Sequence, residues 1–342
     1  MNKFSSQYFL SYLNTIIRDY EKEKINVKTK DKSLGVIYTP NLIVDYLVSN
    51  VFRLFLEEFF TFQNSPKKNL SFEILFQELF KNDYLKTEFA NKIKNIKILD
   101  PACGSGRFII SIAEKLYLFF KSLNPGLEDY EIKLNILQNN LYGIEVEKSA
   151  CIIAKLRLIS WLFSGNENYC KLFNLDERDL NLKEINNLIK SSSIKFNIFN
   201  LDFLLEFESG KFDIIIGNPP YVENKKIDSQ YKIKLYKSFK SSYKLFDLSI
   251  LFIEKSIELL KEHGLISFIL PNKFLSADYG IKIREILIEN IKIKEIDNIS
   301  SLTIFQKTAT YPIIVYFENN IFSDKNEICI KKFNKLDDLL TS

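Results

Sequence analysis

Ile98-Leu99-Asp100-Pro101-Ala102-Cys103-Gly104-Ser105-Gly106-Arg107-Phe108 runs from an apolar strand, through small residues, into a helix. Glycines at such a junction let the backbone turn sharply and let a ligand approach where a β-carbon would otherwise stand. Open α/β sheets bind ligands there, outside the carboxyl end of a strand, and the amides of the first helical turn can meet a carboxylate. The Gly-x-x-x-x-Gly-Lys pattern of a phosphate-binding loop is absent, and the Gly-x-Gly-x-x-Gly spacing of a dinucleotide site fails. Taken alone, the stretch is equally well an ordinary strand-to-helix turn.

Outward from that loop, short β-rich runs alternate with helical ones from about residue 96, the pattern of a doubly wound α/β sheet. Strands are expected at Ile96–Leu99, Leu141–Ile144, Ile194–Phe199, Phe212–Ile216, Leu265–Leu270, Ile293–Ile299 and Ile313–Phe317. Helices are expected at Arg107–Phe120, Ser149–Phe163, Leu248–Glu262 and Ile281–Glu289. His263-Gly264 reads as a glycine cap closing the third of these helices. The last two strands lack a convincing helix between them, so the last is expected to run antiparallel. Residues 1–95 read as a helical region, with periodic apolar residues through Phe9–Ile17, Leu42–Phe60 and Phe72–Phe80. Residues 96–320 read as the main domain and 321–342 as a charged tail.

Composition narrows the chemistry. The 342 residues are 46% hydrophobic and 26% charged, ordinary for a globular protein. No apolar run reaches the roughly 20 residues that cross a bilayer, and no secretory signal opens the chain, so a cytoplasmic location is expected. Cys103, Cys151, Cys170 and Cys329 are scattered without a Cys-x-x-Cys pair, and His263 is the single histidine. A metal site, a disulfide framework and a histidine base are therefore all disfavoured. The net charge of +4 says little, but Lys225, Lys226, Lys232, Lys234, Lys237, Lys240 and Lys244 are interleaved with Tyr231, Tyr236, Phe239 and Tyr243. Such a segment can meet phosphates and bases together, although a solvated helix face has the same composition.

Three further clues follow strands. Glu145, directly after Leu141–Ile144, is placed to accept two hydrogen bonds from a ribose diol. Asp202-Phe203, past the third strand, offers a carboxylate and a ring to an adenine moiety. Most telling is Phe212-Asp213-Ile214-Ile215-Ile216-Gly217-Asn218-Pro219-Pro220-Tyr221, where a strand breaks abruptly into Asn-Pro-Pro-Tyr. A turn explains Asn-Pro, but two consecutive prolines also stiffen the loop and leave carbonyls without adjacent amide hydrogens. The amino nitrogen of an aminopurine is a poor nucleophile because its lone pair is delocalised into the ring. The Asn218 side-chain oxygen and the Pro219 carbonyl are suited to accept both of its hydrogens, stabilising positive charge as the nitrogen attacks a methyl donor. Tyr221 would stack on the base, which must swing out of a duplex to arrive there.

With these residues in view, the chain resembles the N6-adenine DNA methyltransferases of restriction–modification systems, in their gamma-class motif order, over about residues 33–320. The resemblance implies a Rossmann-like class I methyltransferase fold, a mostly parallel seven-stranded sheet with an antiparallel last strand. It implies S-adenosylmethionine as cofactor and double-stranded DNA as substrate. Thr39, in Gly35-Val36-Ile37-Tyr38-Thr39-Pro40, matches the amino-terminal cofactor motif, and Asp100, Ala102 and Gly104 match the glycine loop. By the same resemblance Glu145 takes the ribose, Asp202 and Phe203 take the cofactor adenine, and Asn218, Pro219, Pro220 and Tyr221 form the catalytic tetrapeptide. Phe305 resembles the aromatic residue on the other face of the flipped base, and Lys225, Lys226, Lys232 and Lys234 are the expected DNA contacts. A target-recognition domain after the catalytic one has no counterpart, so the chain is expected to be a catalytic half, a fragment, or a subunit that relies on a separate specificity polypeptide as partner. RNA or protein-glutamine methylation poses the same chemical problem, and a non-catalytic DNA-binding module would keep the same fold; transfer of labelled methyl groups separates all three.

Overall fold

The computed structural model describes residues 6–30, 39–164, 194–302, 311–320 and 327–339, apart from 69 and 209, together with 184, 187, 189 and 190. Within them the chain runs α1 (Ser6–Lys30), α2 (Asn41–Phe62), α3 (Phe72–Phe80), α4 (Asp83–Lys94), β1 (Ile98–Asp100), α5 (Arg107–Leu123), α6 (Asp129–Asn139), β2 (Leu141–Ile144) and α7 (Lys148–Phe163). It continues through β3 (Ile198–Phe199), β4 (Phe212–Gly217), α8 (Ser229–Ser238), α9 (Leu248–Leu259), β5 (Leu260–Pro271), α10 (Ile281–Asn290), β6 (Lys292–Asn298), β7 (Pro312–Glu318) and β8 (Cys329–Lys332). One sheet gathers the strands in the order β3-β2-β1-β4-β5-β7-β6-β8. Neighbours are parallel except β7, which runs antiparallel to both β5 and β6.

The central strands are mostly apolar because helices cover both faces. Along β4, Ile214 and Ile216 enter one core while Phe212 and Ile215 enter the other. Along β7, Ile314 and Tyr316 alternate in the same way with Ile313, Val315 and Phe317. The first core holds α2 to α7, including Phe52, Phe59, Phe89 and Phe119, and the second holds α9 and α10. This is the class I methyltransferase arrangement, with the antiparallel strand where the sequence pattern expects one. Residues 39–95 are thus not a separate layer, since α2, α3 and α4 share a continuous core with the helices of the sheet.

Several expectations are corrected. The helix after Asp247 ends at Leu259, so His263-Gly264 caps nothing. His263 instead adopts a left-handed φ of 58° inside β5, and its amide donates to Asn319 O at 2.9 Å. Extended pairing of β5 with β7, from Leu265↔Glu318 to Pro271↔Pro312, outweighs the local cap signal. The third strand shrinks to Ile198–Phe199 at the sheet edge. An eighth strand, β8, pairs in parallel with β6, and Phe333 and Leu339 beyond it are buried, so 321–342 is more than a charged tail.

Charge inside the fold fastens α2 to the far strands. Arg53 Nη2 lies 2.6 Å from Glu295 Oε2, while Asn50 Nδ2 and Lys331 Nζ both donate to Glu295 Oε1 at 2.7 Å. Tyr46 donates to Asp297 Oδ2 at 2.7 Å, and burial pushes the Asp297 carboxyl up to about 7. Glu295 is only 3% exposed, so it depends on these partners for its charge. Arg53→Ala is expected to destabilise the fold by about 3 kcal/mol, the lower end of the cost of orphaning a buried charge, because Lys331 and Asn50 remain. Urea unfolding of the two proteins measures the difference, and a change below about 1 kcal/mol would show that the pair contributes little.

Candidate active site

The order of the sheet reverses at β1, whose neighbours are β2 on one side and β4 on the other. Such a switch point opens a crevice at the strands' carboxyl ends. Onto it emerge the Asp100–Gly106 loop from β1, Glu145 from β2 and Asn218-Pro219-Pro220-Tyr221 from β4. Topology alone therefore brings together three motifs that lie far apart in sequence.

The glycine loop is held by its own amides. Ala102 N donates to Asp100 Oδ1 at 3.1 Å, Cys103 N to Ile144 O at 2.9 Å and Gly104 N to Glu145 Oε2 at 2.8 Å. The other Glu145 oxygen accepts from Glu147 N at 2.8 Å. Gly106 opens α5 with a φ of 82°, and a β-carbon there would stand 3.1 Å from Ala154 of α7. The first condition strains any larger residue, and the second asks Ala154 to give way by a few tenths of an ångström. Burial raises the Glu145 carboxyl, while these backbone donors work against the rise.

Asp100 lies at the bottom of the crevice, fully shielded from solvent. Its Oδ2 has no hydrogen-bond partner among the described residues, and burial pushes its pKa up to about 8. A buried carboxyl with one open oxygen is a ready acceptor for a ligand that brings N–H groups or positive charge. Gly217 makes room for it from the neighbouring strand, since a β-carbon at Gly217 would fall 2.6 Å from Asp100 Oδ1. Sequence reading placed Gly217 in the motif but assigned it nothing.

Immediately after Gly217, the half-buried Asn218 donates from Nδ2 to Thr39 Oγ1 at 2.9 Å. Pro219 is buried and Pro220 half-buried. Tyr221 is 8% exposed, and its hydroxyl has no partner among the described residues. The loop's exit is stapled to the start of α9, with Leu248 N donating to Val222 O at 2.9 Å and Asn224 N to Phe246 O at 3.0 Å. Asp247, between those two positions, caps α9 by accepting from Ser249 N at 2.9 Å.

The remaining expected residues divide. Asp202 stays at the surface, its Oδ1 accepting from Leu204 N at 2.8 Å. Phe203 does not offer a ring face there: it is 1% exposed and packs against Phe252, with centroids 5.0 Å apart. An apolar ring adjoining an apolar layer buries itself, so the expected face contact with adenine is corrected to a core role. A cleft of about 450 Å³ separates Asp202, Leu205 and Glu206 from Tyr231, Lys234, Lys237 and Ser238 of α8. The Asp202 carboxylate, after burial itself, raises the phenol of Tyr231. Lys225, Lys226 and Lys234 are exposed and Lys232 half-buried, whereas Lys244 is held by Asp278 at 2.8 Å. Phe305 lies outside the described residues.

Helix α1 contributes residues that the sequence did not mark. Glu21 accepts from Ser105 Oγ at 2.9 Å and from Arg107 Nη2 at 2.7 Å, and also pairs with Arg157. Tyr20 donates to Glu147 Oε1 at 3.2 Å, and Lys24 pairs with the same carboxylate. A charged stretch on a helix reads as a solvated face, and nothing local separates these three from their neighbours.

Asp100 makes stability depend on pH. Unfolded, it ionises near its ordinary value of 3.8, while in the folded chain it keeps its proton until about 8. Between those values the folded state binds the extra proton, so this group subtracts stability as pH rises. Asp100→Asn retains the acceptor for Ala102 N and removes the titration. Thermal melts at pH 5 and pH 8 are expected to show a smaller loss on raising pH in the variant than in the parent; equal losses would contradict the buried protonated state.

Comparison with known proteins finds relatives of the chain. Residues 139–305 match the Eco57I restriction-modification methylase family. Over 284 residues the chain is 30% identical to the type II restriction enzyme and methyltransferase RM.Eco57I of Escherichia coli, covering 76% of this chain and 28% of that protein. It is 31% identical over 227 residues to the type II methyltransferase M.BstVI of Geobacillus stearothermophilus, covering 65% and 37%. The structure of the type IIL restriction-modification enzyme MmeI in complex with DNA aligns with a TM-score of 0.57 at 19% identity, over 89% of this chain and 39% of that one, a likeness of fold. The chain thus spans well under half the length of these relatives. It is similar to restriction-modification methyltransferases, and its residues 139–305 match the Eco57I methylase family.

Proposed function

We propose that the chain transfers the methyl group of S-adenosylmethionine to the N6 amine of adenine in DNA. One observation carries the reading: the Asn218-Pro219-Pro220-Tyr221 loop leaves β4 beside the carboxyl end of β1, where Asp100 lies against Gly217 with its Oδ2 lacking a partner among the described residues. S-adenosylmethionine supplies a methyl group on a positively charged sulfur. Asp100 Oδ2, once ionised, fits the ammonium of its methionine part, Glu145 its ribose hydroxyls and Asp202 its adenine amine.

On the substrate side, the Asn218 side-chain oxygen and the Pro219 carbonyl accept the two amine hydrogens of an extruded adenine. Both bonds strengthen as the nitrogen gains positive charge, so they favour the transition state over the ground state. Tyr221, sunk behind the loop, forms the floor on which the base stacks. Lys225, Lys226, Lys232 and Lys234 meet backbone phosphates, and Lys234 also lines the cleft that faces Asp202. Sequence choice is assigned to chain or subunit material outside this domain, in keeping with the greater length of the relatives.

Labelled S-adenosylmethionine offered with duplex DNA, RNA and release-factor protein tests the substrate class. Label is expected in DNA as N6-methyladenine, and label in protein or RNA alone would overturn the reading. Asn218→Ala is expected to abolish transfer while cofactor affinity, read by calorimetry, changes by less than about twofold. Undiminished transfer by that variant would remove Asn218 from its role. Tyr221→Ala is expected to weaken capture of the base by about 1–3 kcal/mol, read from 2-aminopurine fluorescence at the target position. An unchanged signal would deny the ring its stacking part.

A further inference from the structure

Thr39 is the residue in the amino-terminal motif that family likeness assigns to the cofactor. Its surroundings say otherwise. It is 6% exposed, and its hydroxyl oxygen accepts the hydrogen bond from Asn218 Nδ2 at 2.9 Å. The two residues are 179 positions apart in sequence, so the contact is made by the fold and not by chain neighbourhood.

We infer that Thr39 is a positioning residue for the methyl-acceptor site: it holds the Asn218 amide so that the side-chain oxygen is presented to the target amine. A primary amide is planar and has two ends of opposite character, an N–H donor and an oxygen acceptor. Only the acceptor end is useful towards an amine whose hydrogens must be taken. Free rotation about the last side-chain bond would offer either end. Fixing Nδ2 on Thr39 turns the oxygen to the opposite branch, and the penalty for searching two orientations disappears before substrate arrives.

Thr39 is itself held firmly. It directly precedes Pro40, whose carbonyl accepts from Ile43 N and Val44 N at 3.1 Å as α2 begins. Helix α2 is tied to α5 by Ser111 Oγ donating to Asp45 Oδ1 at 2.8 Å, and to the far strands by Tyr46 and Arg53. A hydroxyl on such a support locates an amide better than one on a free loop. Thr39 thereby acts on the nucleophile's side of the reaction, through Asn218, while residues 35–38 of the same motif lie outside the described residues.

This inference rests on the methyl-transfer reading, and the experiment separates the two. Single-turnover methylation of adenine-containing duplex DNA at saturating cofactor, together with calorimetric cofactor affinity, is compared for the parent, Thr39→Val and Thr39→Ser. Thr39→Val is expected to lose rate on the order of 10- to 100-fold, as small misplacements of a reacting partner do, with cofactor affinity within about twofold. Thr39→Ser is expected to stay within a few-fold of the parent. A valine variant at full rate, or one whose deficit vanishes as cofactor is raised, overturns the inference and returns Thr39 to the cofactor. Should valine prevent folding, the Thr39→Ser and Thr39→Ala pair reads the same hydroxyl. A parent chain that methylates nothing removes the methyl-transfer reading instead. The positioning contact is then read without turnover, from the side-chain amide signal of Asn218 in 15N-labelled protein, identified by its loss in Asn218→Asp. That signal is expected to move in the valine variant and not in the serine one, and no movement would sink the contact.

Discussion

The close approach of Gly217 to Asp100 is the constraint on which the rest of the site depends. Two parallel strands end side by side, and the Asp100 carboxyl of one lies against the Gly217 backbone of the other because no side chain stands between them. The missing β-carbon leaves room for the Asp100 carboxyl, which is buried and holds its proton at neutral pH. A buried carboxyl oxygen without a hydrogen-bond partner has a desolvation cost, and burial holds the group in its neutral form. Function rationalises that cost, because a positively charged ligand would recover it on binding.

Around that point the fold supplies rigidity from two directions. Helix α2 begins next to Thr39, crosses the first core and is fastened to β6 and β8 by a buried cluster around Glu295 and Asp297. Helix α1 reaches the glycine loop from outside through Glu21, and the segment after Glu145 through Tyr20 and Lys24. Both helices precede the sheet in sequence, yet both bear directly on the crevice. The region before residue 96 is thus part of the site's support.

Much of this was legible in the sequence, and the failures have physical causes. Strands β2, β4 and β7 stand within a residue of their expected ends, because strands inside the sheet are mostly apolar runs whichever way they run. Strand β8 escaped notice because it lies at an edge with Ile330 73% exposed, so no apolar periodicity marks it. Helices α4 and α6 were missed for a related reason: both are polar on average, and tertiary packing of Leu85, Phe89, Ile132 and Ile136 holds them. At the site, Asp100, Glu145 and Asn218 could be found because each directly follows a strand, and strand ends converge in this architecture. Phe203 was misjudged because burial of a ring cannot be told from display of a ring by sequence. The Thr39–Asn218 and Glu21–Arg107 contacts, 179 and 86 residues apart, carry no local signal at all.

The most direct test of a single pocket shared by the two strand ends is Gly217→Ala. Its new β-carbon would stand 2.6 Å from Asp100 Oδ1, so either the carboxyl or the Asn218 loop must move. Affinity for S-adenosylmethionine, measured by calorimetry on the folded variant, is expected to fall by about 10-fold or more, a cost of about 1.4 kcal/mol. Methyl transfer is expected to fall further, because the Asn218 loop is displaced as well. An alanine variant that binds the cofactor and transfers methyl groups like its parent would contradict the shared pocket.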